Sequence, residues 1–418
     1  LGIILALAAP FLVKFVAPGF DAAKTAATVD ATRIMFLSPL FLGMSAILGG
    51  ILHSFRRFFV YALAPLFYNG GIIFGAVVLA DTMGVTGLAV GVVIGSFLHF
   101  AIQVPSVFFS GFSWQGVFDF GDKHFRKIFF LMVPRAFGLV VFQLNLWVIT
   151  AIASMLSSGS IAIFNLANHL QFLPIGIIGY SFATAAMPSF AKSVSSEKSK
   201  RFGEQLTKTV RMVLFFVVPA SILMFVLRAH IVRLVFGSGA FSWDDTRLTA
   251  AVLGIFAFGI FAHSLIPLLS RAFYAMQNTK TPVIINSIGF FINIVLSFFF
   301  VFVLFKNPKV SSFISEFLDM GGIDNIVLLG LPLAFSLAGI LNLAILFYAL
   351  KGYIGGFGEA TVYLAGAKIL GASIVAGLAS YGTLFLAEPL FRTDTAPGLF
   401  LQAGIAGLAG GVVYLALM

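Results

Sequence analysis

The sequence predicts an all-α polytopic membrane protein. Of its 418 residues, 60% are hydrophobic and only 10% are charged, whereas about a quarter of the residues of a soluble domain are charged. Apolar runs of about 20 residues, the length that a helix needs to cross about 30 Å of hydrocarbon, recur from one end to the other. Runs of this length predict transmembrane helices rather than the shorter strands of a barrel.

Hydropathy, with glycine, proline and charged residues marking the breaks, divides the chain into about twelve membrane segments. The fifth and sixth segments are long enough to project beyond the bilayer. Leu1 lies inside an apolar run with no basic region before it, so we expect further helices upstream. The segments cover approximately residues 1–17, 31–53, 60–80, 85–109, 128–156, 160–190, 208–228, 248–271, 282–305, 327–350, 361–387 and 397–418.

Lysines and arginines are distributed unevenly between two alternating sets of loops. The richer set includes Arg56, residues 123–127, residues 192–211 and Lys351. Because basic residues concentrate on the cytoplasmic side, we predict that this set is cytoplasmic. Orientation against an anionic inner leaflet accounts for the net charge of +10, so we expect no nucleic-acid partner. The basic residues within 192–211 have a second interpretation, as a contact for acidic membrane lipids.

The segments fall into two groups that a connector joins. Residues 110–127 mix aromatic, acidic and basic side chains, a composition typical of an amphipathic helix that lies on the cytoplasmic face. On either side of it, a basic, aromatic-rich turn precedes a proline-led helix that carries an interior asparagine, Asn69 or Asn293. Repeated halves of this kind are typical of secondary transporters.

The fifth segment carries an arginine at membrane depth. Arg135 lies about seven residues, or roughly 10 Å, from the predicted cytoplasmic edge, where a charge costs about 3 to 17 kcal/mol. At about 100° per residue, Gln143 and Asn145 share one half of the helix with Arg135. We therefore expect these three side chains to line a polar cavity. The alternative is that the Arg135 side chain extends so that its guanidinium reaches the nearby membrane–water interface.

The sixth segment carries a polar stripe. Asn165, Asn168 and His169 are spaced i, i+3 and i+4, which places them on one helix face. The short connection at 157–160 makes the two segments antiparallel neighbours, so the stripe and Arg135 can face one cavity. A guanidinium, carboxamides and an imidazole together suit an anionic headgroup. Hydrogen bonding between helices is the alternative interpretation of the stripe.

The sequence argues against enzymatic and metal-dependent classes of function. It contains no cysteine, no GxxxxGK[ST] phosphate-binding loop and no HExxH zinc motif. Nearly all acidic residues lie in predicted loops, so we expect no catalytic carboxylate pair, no metal site and no cofactor. His263 and the pair His99 and Gln103 are interpreted as packed, hydrogen-bonded groups.

Several long stretches are similar to the MurJ-type lipid II flippases of the multidrug/oligosaccharidyl-lipid/polysaccharide exporter superfamily. The resemblance extends along essentially the whole chain, and the agreement of several stretches in order makes it strong. The stretches are RIMFLSPLFLGMSAILGGILHSFRRFFVYALAPLFYNGGIIFGA, FLPIGIIGYSFATAAMPSFAKSVS, IVRLVFGSGAFSWDDTRLTAAVL and SRAFYAMQNTKTPV.

The resemblance implies a fold of fourteen helices, in which two pseudo-symmetric six-helix lobes surround a cationic cavity and two further helices form a groove for a lipid tail. The twelve segments then correspond to helices 3 to 14 of that plan. This assigns residues 1–109 to a partial N-lobe, 110–127 to the linker, 128–352 to the C-lobe and 353–418 to the two additional helices. The two helices that would lie upstream carry several of the charged residues of the family.

The resemblance also implies a function. We expect translocation of an undecaprenyl-pyrophosphate-linked peptidoglycan precursor, lipid II, across the bacterial cytoplasmic membrane by alternating access. Arg135, Asn165, Asn168 and His169, with Gln143 and Asn145, would bind the headgroup. Membrane lipids and cell-wall synthesis proteins are the other expected partners.

Two departures from the family pattern bear on this expectation. The family places an arginine on its eighth helix in stretches such as ADRL or ANRL, whereas the matching stretch ANHL has His169 there. A histidine is only partly charged at neutral pH, which predicts a weaker or proton-sensitive site unless Arg135 compensates. Some members are thought to bind sodium with an acid on the seventh helix, and the stretch LNLWVIT offers none.

Three other functions are alternatives. A drug or polysaccharide exporter of the same superfamily predicts acidic residues in the cavity for cationic drugs, and the segments contain almost none. A scaffold that recruits cell-wall synthesis enzymes without transport predicts that Arg135 is dispensable. A glycosyltransferase predicts acidic metal-binding loops, which we do not find.

Overall fold

The computed structural model describes residues 2–113, 116, 119, 121–195, 199–237, 239, 241–317, 321, 325–391 and 395–418. The side chains of residues 3, 124, 128–131, 133–142, 195, 199–200 and 317 also lie outside the described set. The described elements are helices and turns, with no strand among them. The α-helices are α1 (Gly2–Val16), α2 (Ala22–Met35), α3 (Ser38–Ser54), α4 (Phe58–Phe74), α5 (Ala80–Met83), α6 (Val85–Ala101), α7 (Gln103–Phe108), α8 (Lys123–Ser154), α9 (Ser160–Pro174), α10 (Ser181–Ser195), α11 (Ser199–Val226), α12 (Arg228–Phe236), α13 (Trp243–Ala257), α14 (Ile260–Ala275), α15 (Lys280–Phe299), α16 (Pro308–Phe317), α17 (Gly330–Ile354), α18 (Glu359–Ala387) and α19 (Ala396–Leu417).

Within the described residues, nine helical stretches are long and apolar enough to cross a membrane. The pair α13 and α14 qualifies together, as one span bent by 45°, and Ile4–Val16 and Gln143–Ser154 are shorter apolar helices. Each predicted segment overlaps one of these elements, which confirms the all-α polytopic class, while the count of twelve stays a prediction. The nine spans are Ala22–Ser54, Phe58–Met83, Val85–Phe108, Ser160–Val194, Arg201–Val226, Lys280–Leu304, Ile326–Ile354, Glu359–Leu390 and Ala396–Leu417.

Wider π-helical turns lie within two of the spans and end a third. They comprise Gly75–Leu79, Ile175–Tyr180 and Phe300–Leu304. In a π-helical turn each hydrogen bond reaches one residue further than in an α-helix, so the turn is wider. The turn Ile175–Tyr180 begins directly after Pro174, whose missing N–H already breaks the α-helical pattern.

The chain divides into two compact units, Leu1–Ala136 and Phe137–Met418. The boundary falls inside α8. The predicted division into a partial N-lobe, a linker, a C-lobe and two additional helices stays a prediction. The described part of the predicted amphipathic linker before Lys123 lies in turns or irregular backbone, and α8 begins at Lys123. The residues with this backbone include Gly111, Phe112, Ser113, Gly116, Asp119, Gly121 and Asp122.

In the first unit, α4 and its π-helical turn pack on α6 through glycines. A Cβ atom built on Gly71 would lie 2.3 Å from the Cα of Gly95, and one on Gly75 would lie 2.5 Å from the Cα of Gly91. The absent side chains therefore allow the two backbones to touch, as small residues do in membrane helix pairs.

A polar cluster links α3 to α6 and α7 in the same unit. The Ser45 hydroxyl lies 2.7 Å from Nδ1 of His99. The Gln103 amide donates to the Ser45 hydroxyl at 2.5 Å and to the carbonyl of His99 at 3.0 Å. The expectation that His99 and Gln103 are packed and hydrogen-bonded is confirmed.

In the second unit, α17 is the central helix. In its most apolar stretch 67% of the residues are buried, against 28% to 39% in the other straight spans of this unit. It packs on α13, α14 and α15. The side chain of His263 from α14 stacks on Phe335 of α17 with ring centroids 4.2 Å apart, and its Nε2 lies 3.3 Å from the Phe335 carbonyl, which confirms that His263 is packed and hydrogen-bonded.

The last two helices, α18 and α19, pack on each other and on α11. Small residues let α18 and α19 approach each other closely, since a Cβ atom on Gly410 would lie 3.0 Å from the carbonyl oxygen of Ala376. The Tyr414 hydroxyl donates to the carbonyl of Phe215 at 2.7 Å. These contacts tie the C-terminal pair to the rest of the second unit.

Candidate functional site

Arg135 lies on α8, and its side chain is outside the described residues. The unit boundary places Arg135 in the first unit, whereas the other five candidate residues belong to the second. A joint site of Arg135 with the polar face of α9 therefore stays a prediction.

Helix α9 presents two polar side chains on an exposed face. Asn165 and His169 are exposed and one helical turn apart, while Phe164, Ala167 and Leu170 on the other side are buried. The buried side packs on α13. Neither Asn165 nor His169 has a hydrogen-bond partner among the described residues. Polar groups within membrane spans face a bundle interior or a watery cavity, and these two are the exposed polar side chains of the helix.

Asn168 is oriented differently from its two neighbours in the predicted stripe. It is half-buried, and its Oδ1 accepts a hydrogen bond from Nε2 of Gln171 at 2.8 Å. Gln171 is fully buried, and its side-chain oxygen Oε1 has no hydrogen-bond partner in the described part of the chain. Asn168 therefore takes part in a local amide pair, and Gln171 is a buried polar residue that sequence spacing did not single out.

The two candidate amides of α8 also differ in their surroundings. Gln143 is exposed, as is Trp147 one turn later. Asn145 accepts a hydrogen bond from Nδ2 of Asn293 on α15 at 2.8 Å, and Asn293 in turn accepts one from Ser297 at 3.4 Å. Asn145 thus joins two helices, whereas Gln143 is open.

A second amide pair holds α17 against α15. The Asn342 amide donates to Oδ1 of Asn286 at 3.1 Å, and Gly289 leaves room for it, since a Cβ there would lie 2.8 Å from Cγ of Asn342. Sequence analysis missed this pair. The signal for it is the i, i+7 spacing of Asn286 and Asn293, which places both amides on one face of α15.

Two cavities open at opposite ends of the second unit. The larger, of about 1270 Å³, is lined by Lys208, Arg211, Phe215, Gly358 and Met418 among others. The smaller, of about 650 Å³, lies between the ends of α12, α13, α18 and α19. Among the residues with described side chains, no three His, Asp or Glu residues lie close enough together to hold a metal ion.

Comparisons with known proteins place this geometry in a family. The family described as "Lipid II flippase MurJ" matches residues 1–400. A solved structure titled "Lipid II flippase MurJ, inward closed conformation" has a similar fold, with a TM-score of 0.77 and 24% identity, over 100% of this chain and 79% of that chain.

Relatives named "Probable lipid II flippase MurJ" are similar over about two thirds of the chain. The protein from Rhizobium tropici is 31% identical over 304 residues, which are 71% of this chain and 57% of the relative. The protein from Vibrio cholerae is 30% identical over 291 residues, 69% of this chain and 55% of the relative. The chain spans little more than half the length of these relatives. Its membrane spans and the match over residues 1–400 make it a multi-pass protein of the bacterial inner membrane that belongs to the lipid II flippase MurJ family.

Proposed function

We propose that this chain acts in a flippase that moves the lipid-linked peptidoglycan precursor across the bacterial cytoplasmic membrane by alternating access. The observation that carries the proposal at the site is the open pair Asn165 and His169, two polar side chains one turn apart on an apolar span. Placing such a pair in hydrocarbon costs free energy, whereas contact with a polar ligand satisfies both side chains. Family membership supplies the class of ligand.

Each candidate residue has a proposed role. The guanidinium of Arg135 forms two parallel hydrogen bonds to the pyrophosphate, for which its planar fork is suited. Asn165, His169 and the open amide of Gln143 bind the phosphate and sugar oxygens. Asn145 and Asn168 hold the helices and neighbouring amides in place through Asn293 and Gln171.

The conformational change of alternating access needs points at which helices bend. The 45° break between α13 and α14 is one. At this break Gly259 lies against α17, since a Cβ there would lie 2.8 Å from Oγ of Ser336. We propose that this break and the π-helical turns absorb the movement, and that α18 and α19 hold the prenyl tail. We propose the membrane potential, worth about 2.3 kcal/mol per charge per 100 mV, as the drive.

The test is translocation of lipid II in proteoliposomes. We expect Arg135→Ala to reduce the rate by about ten- to a hundred-fold, because a hydrogen bond to a charged group contributes about 1.5 to 3 kcal/mol. We expect about five-fold for His169→Ala, which removes a single hydrogen-bond contact. His53→Ala in the last turn of α3 and Arg57→Ala between α3 and α4, both at exposed positions, are the matched controls.

Full translocation by both Arg135→Ala and His169→Ala would overturn the site. A scaffold without transport predicts no translocation even by the unmutated protein. It also predicts that Arg135→Ala leaves intact the recruitment of cell-wall synthesis proteins, which are the partners that a peptidoglycan precursor implies. A drug exporter of the same superfamily predicts efflux of cationic compounds by the unmutated protein and no movement of lipid II.

A further inference from the structure

The smaller cavity lies outside the proposed headgroup site. Its volume is about 650 Å³, and its walls come from α12, the first residue of α13, the end of α18 and the start of α19. The charge pattern of the loops predicts that this end of the helices faces the outside of the cell. The groups that matter for binding are His230, Arg233, Trp243, Tyr381, Glu388 and Gln402.

One wall of the cavity is built on a buried amide. Gln402 is 3% exposed, and its Oε1 lies 3.2 Å from Nε2 of His230 while its Nε2 donates to the carbonyl of Leu384 at 3.1 Å. Partial burial lowers the pKa of His230, and the bond to Gln402 opposes that shift only in part. The lowered pKa favours the uncharged imidazole.

The charge of the cavity comes from one cation and one anion that do not pair with each other. The guanidinium of Arg233 lies 4.9 Å from the ring centroid of Trp243, and among the described residues no carboxylate forms an ion pair with it. Glu388 is exposed and likewise has no ion-pair partner in the described part of the chain. Arg228, the nearest other cation on α12, is directed to Phe225, to whose carbonyl it donates at 2.8 Å.

An apolar stripe leads from the cavity along α18. Leu378, Tyr381 and Phe385 are 66%, 65% and 72% exposed. Their i, i+3, i+7 spacing puts them on one face of the helix. Because α18 lies in the span Glu359–Leu390, this face runs into the hydrocarbon of the membrane. A ligand of the cavity can therefore carry an acyl chain.

We propose that this cavity binds a zwitterionic phospholipid whose headgroup carries a phosphate and a primary ammonium, as in phosphatidylethanolamine. The phosphate pairs with Arg233, the ammonium pairs with Glu388, and one acyl chain lies along the stripe on α18. An anionic phospholipid such as phosphatidylglycerol offers a phosphate to Arg233 but no ammonium to Glu388, so that this carboxylate would stay unpaired beside the headgroup. A choline headgroup has no N–H to donate to the carboxylate.

Trp243 provides a probe inside the cavity. The chain has three tryptophans, so the double substitution Trp114→Phe and Trp147→Phe leaves Trp243 as the only tryptophan. The protein is reconstituted in phosphatidylcholine vesicles that contain increasing fractions of a phospholipid with brominated acyl chains. We expect brominated phosphatidylethanolamine to quench Trp243 at about three- to five-fold lower mole fraction than brominated phosphatidylglycerol or phosphatidylcholine, as one exposed ion pair allows.

Substitutions separate headgroup recognition from general contact with lipid. Arg233→Gln and Glu388→Gln should each abolish the preference, and Arg233→Lys should keep most of it because the charge remains. Arg247→Gln is the matched control, since Arg247 lies on α13 and pairs with Asp244 at 4.0 Å. Equal quenching by all three lipids, a preference for phosphatidylglycerol, or a preference that survives both Arg233→Gln and Glu388→Gln would overturn the proposal.

Discussion

At the scale of single residues, amide side chains determine how the helices of the second unit are joined. Asn145 and Asn293 are 148 positions apart and share a hydrogen bond of 2.8 Å. Asn293 is 3% exposed, so its side-chain NH₂ group depends on Asn145 for an acceptor. Helical spacing predicted that Asn165, Asn168 and His169 share one face; Asn165 and His169 are both exposed, whereas Asn168 is half-buried and bonded to Gln171. Spacing could not predict the partner of Asn145, because that contact depends on which distant helix packs beside α8.

Asn145→Ala should destabilise the protein by about 1 kcal/mol, because it leaves a buried amide without its partner. The change is measured as a shift in the thermal unfolding midpoint in detergent. Gln143→Ala, two residues away on the same helix and exposed, is the control and should have little effect.

The double variant Asn145→Ala/Asn293→Leu gives the coupling between the two residues. It should be less destabilised than the sum of the single variants, because no unpaired amide remains. Strictly additive effects would contradict the interpretation of this pair as a link between helices.

At the scale of elements, hydropathy located the helices but not their first turns. The eighth predicted segment began at residue 248, whereas α13 begins at Trp243, where the Ser242 hydroxyl accepts from the N–H of Asp245 in a capping box. The second predicted segment began at residue 31, whereas α2 begins at Ala22 and Asp21 accepts from the N–H of Lys24. Both first turns are polar, so hydropathy assigns them to loops, while capping of the free N–H groups makes them helical.

The glycines between α4 and α6 give a prediction for this pair of elements. Gly91→Ala should destabilise the first unit by about 1 to 3 kcal/mol, since the new methyl group would lie 2.5 Å from the Cα of Gly75 and the helices must separate. Gly70→Ala on α4 is the control, because a Cβ there has open space. It should be neutral or slightly stabilising, since alanine favours a helix over glycine.

Thermal unfolding of the two glycine variants measures the difference. Equal midpoints for Gly91→Ala and Gly70→Ala would contradict the close approach of the two helices.

At the scale of the whole molecule, the fold class and the order of the spans could be predicted because long apolar runs have few alternatives in a membrane. The division at Ala136 and Phe137 could not be predicted, because it falls within one continuous helix and no change of composition marks it. For the same reason the place of Arg135 relative to α9 cannot be read from the spacing of residues.

The charge pattern predicts which ends of the helices face the cytoplasm, and the absence of cysteine makes this testable. We expect Lys306→Cys to react with a membrane-impermeant maleimide in cells with a permeabilised outer layer and an intact inner membrane. Gly352→Cys should react only after the inner membrane is opened, because it lies in the predicted cytoplasmic set. Both positions are exposed.

The unmutated chain, which has no thiol, is the blank for this labelling. The reverse pattern of labelling would invert the predicted orientation of every span.

The π-helical turn Ile175–Tyr180 has a consequence for how the sequence can change over evolution. A π-helical turn holds about one more residue than an α-helical turn, so the loss of one residue between Pro174 and Ser181 would let this segment wind as an ordinary α-helix. Phe190, which is fully buried in the core of the second unit, would then keep its direction. Insertions and deletions are tolerated in surface loops, and this turn is a place inside a membrane span where a single deletion can also be accommodated.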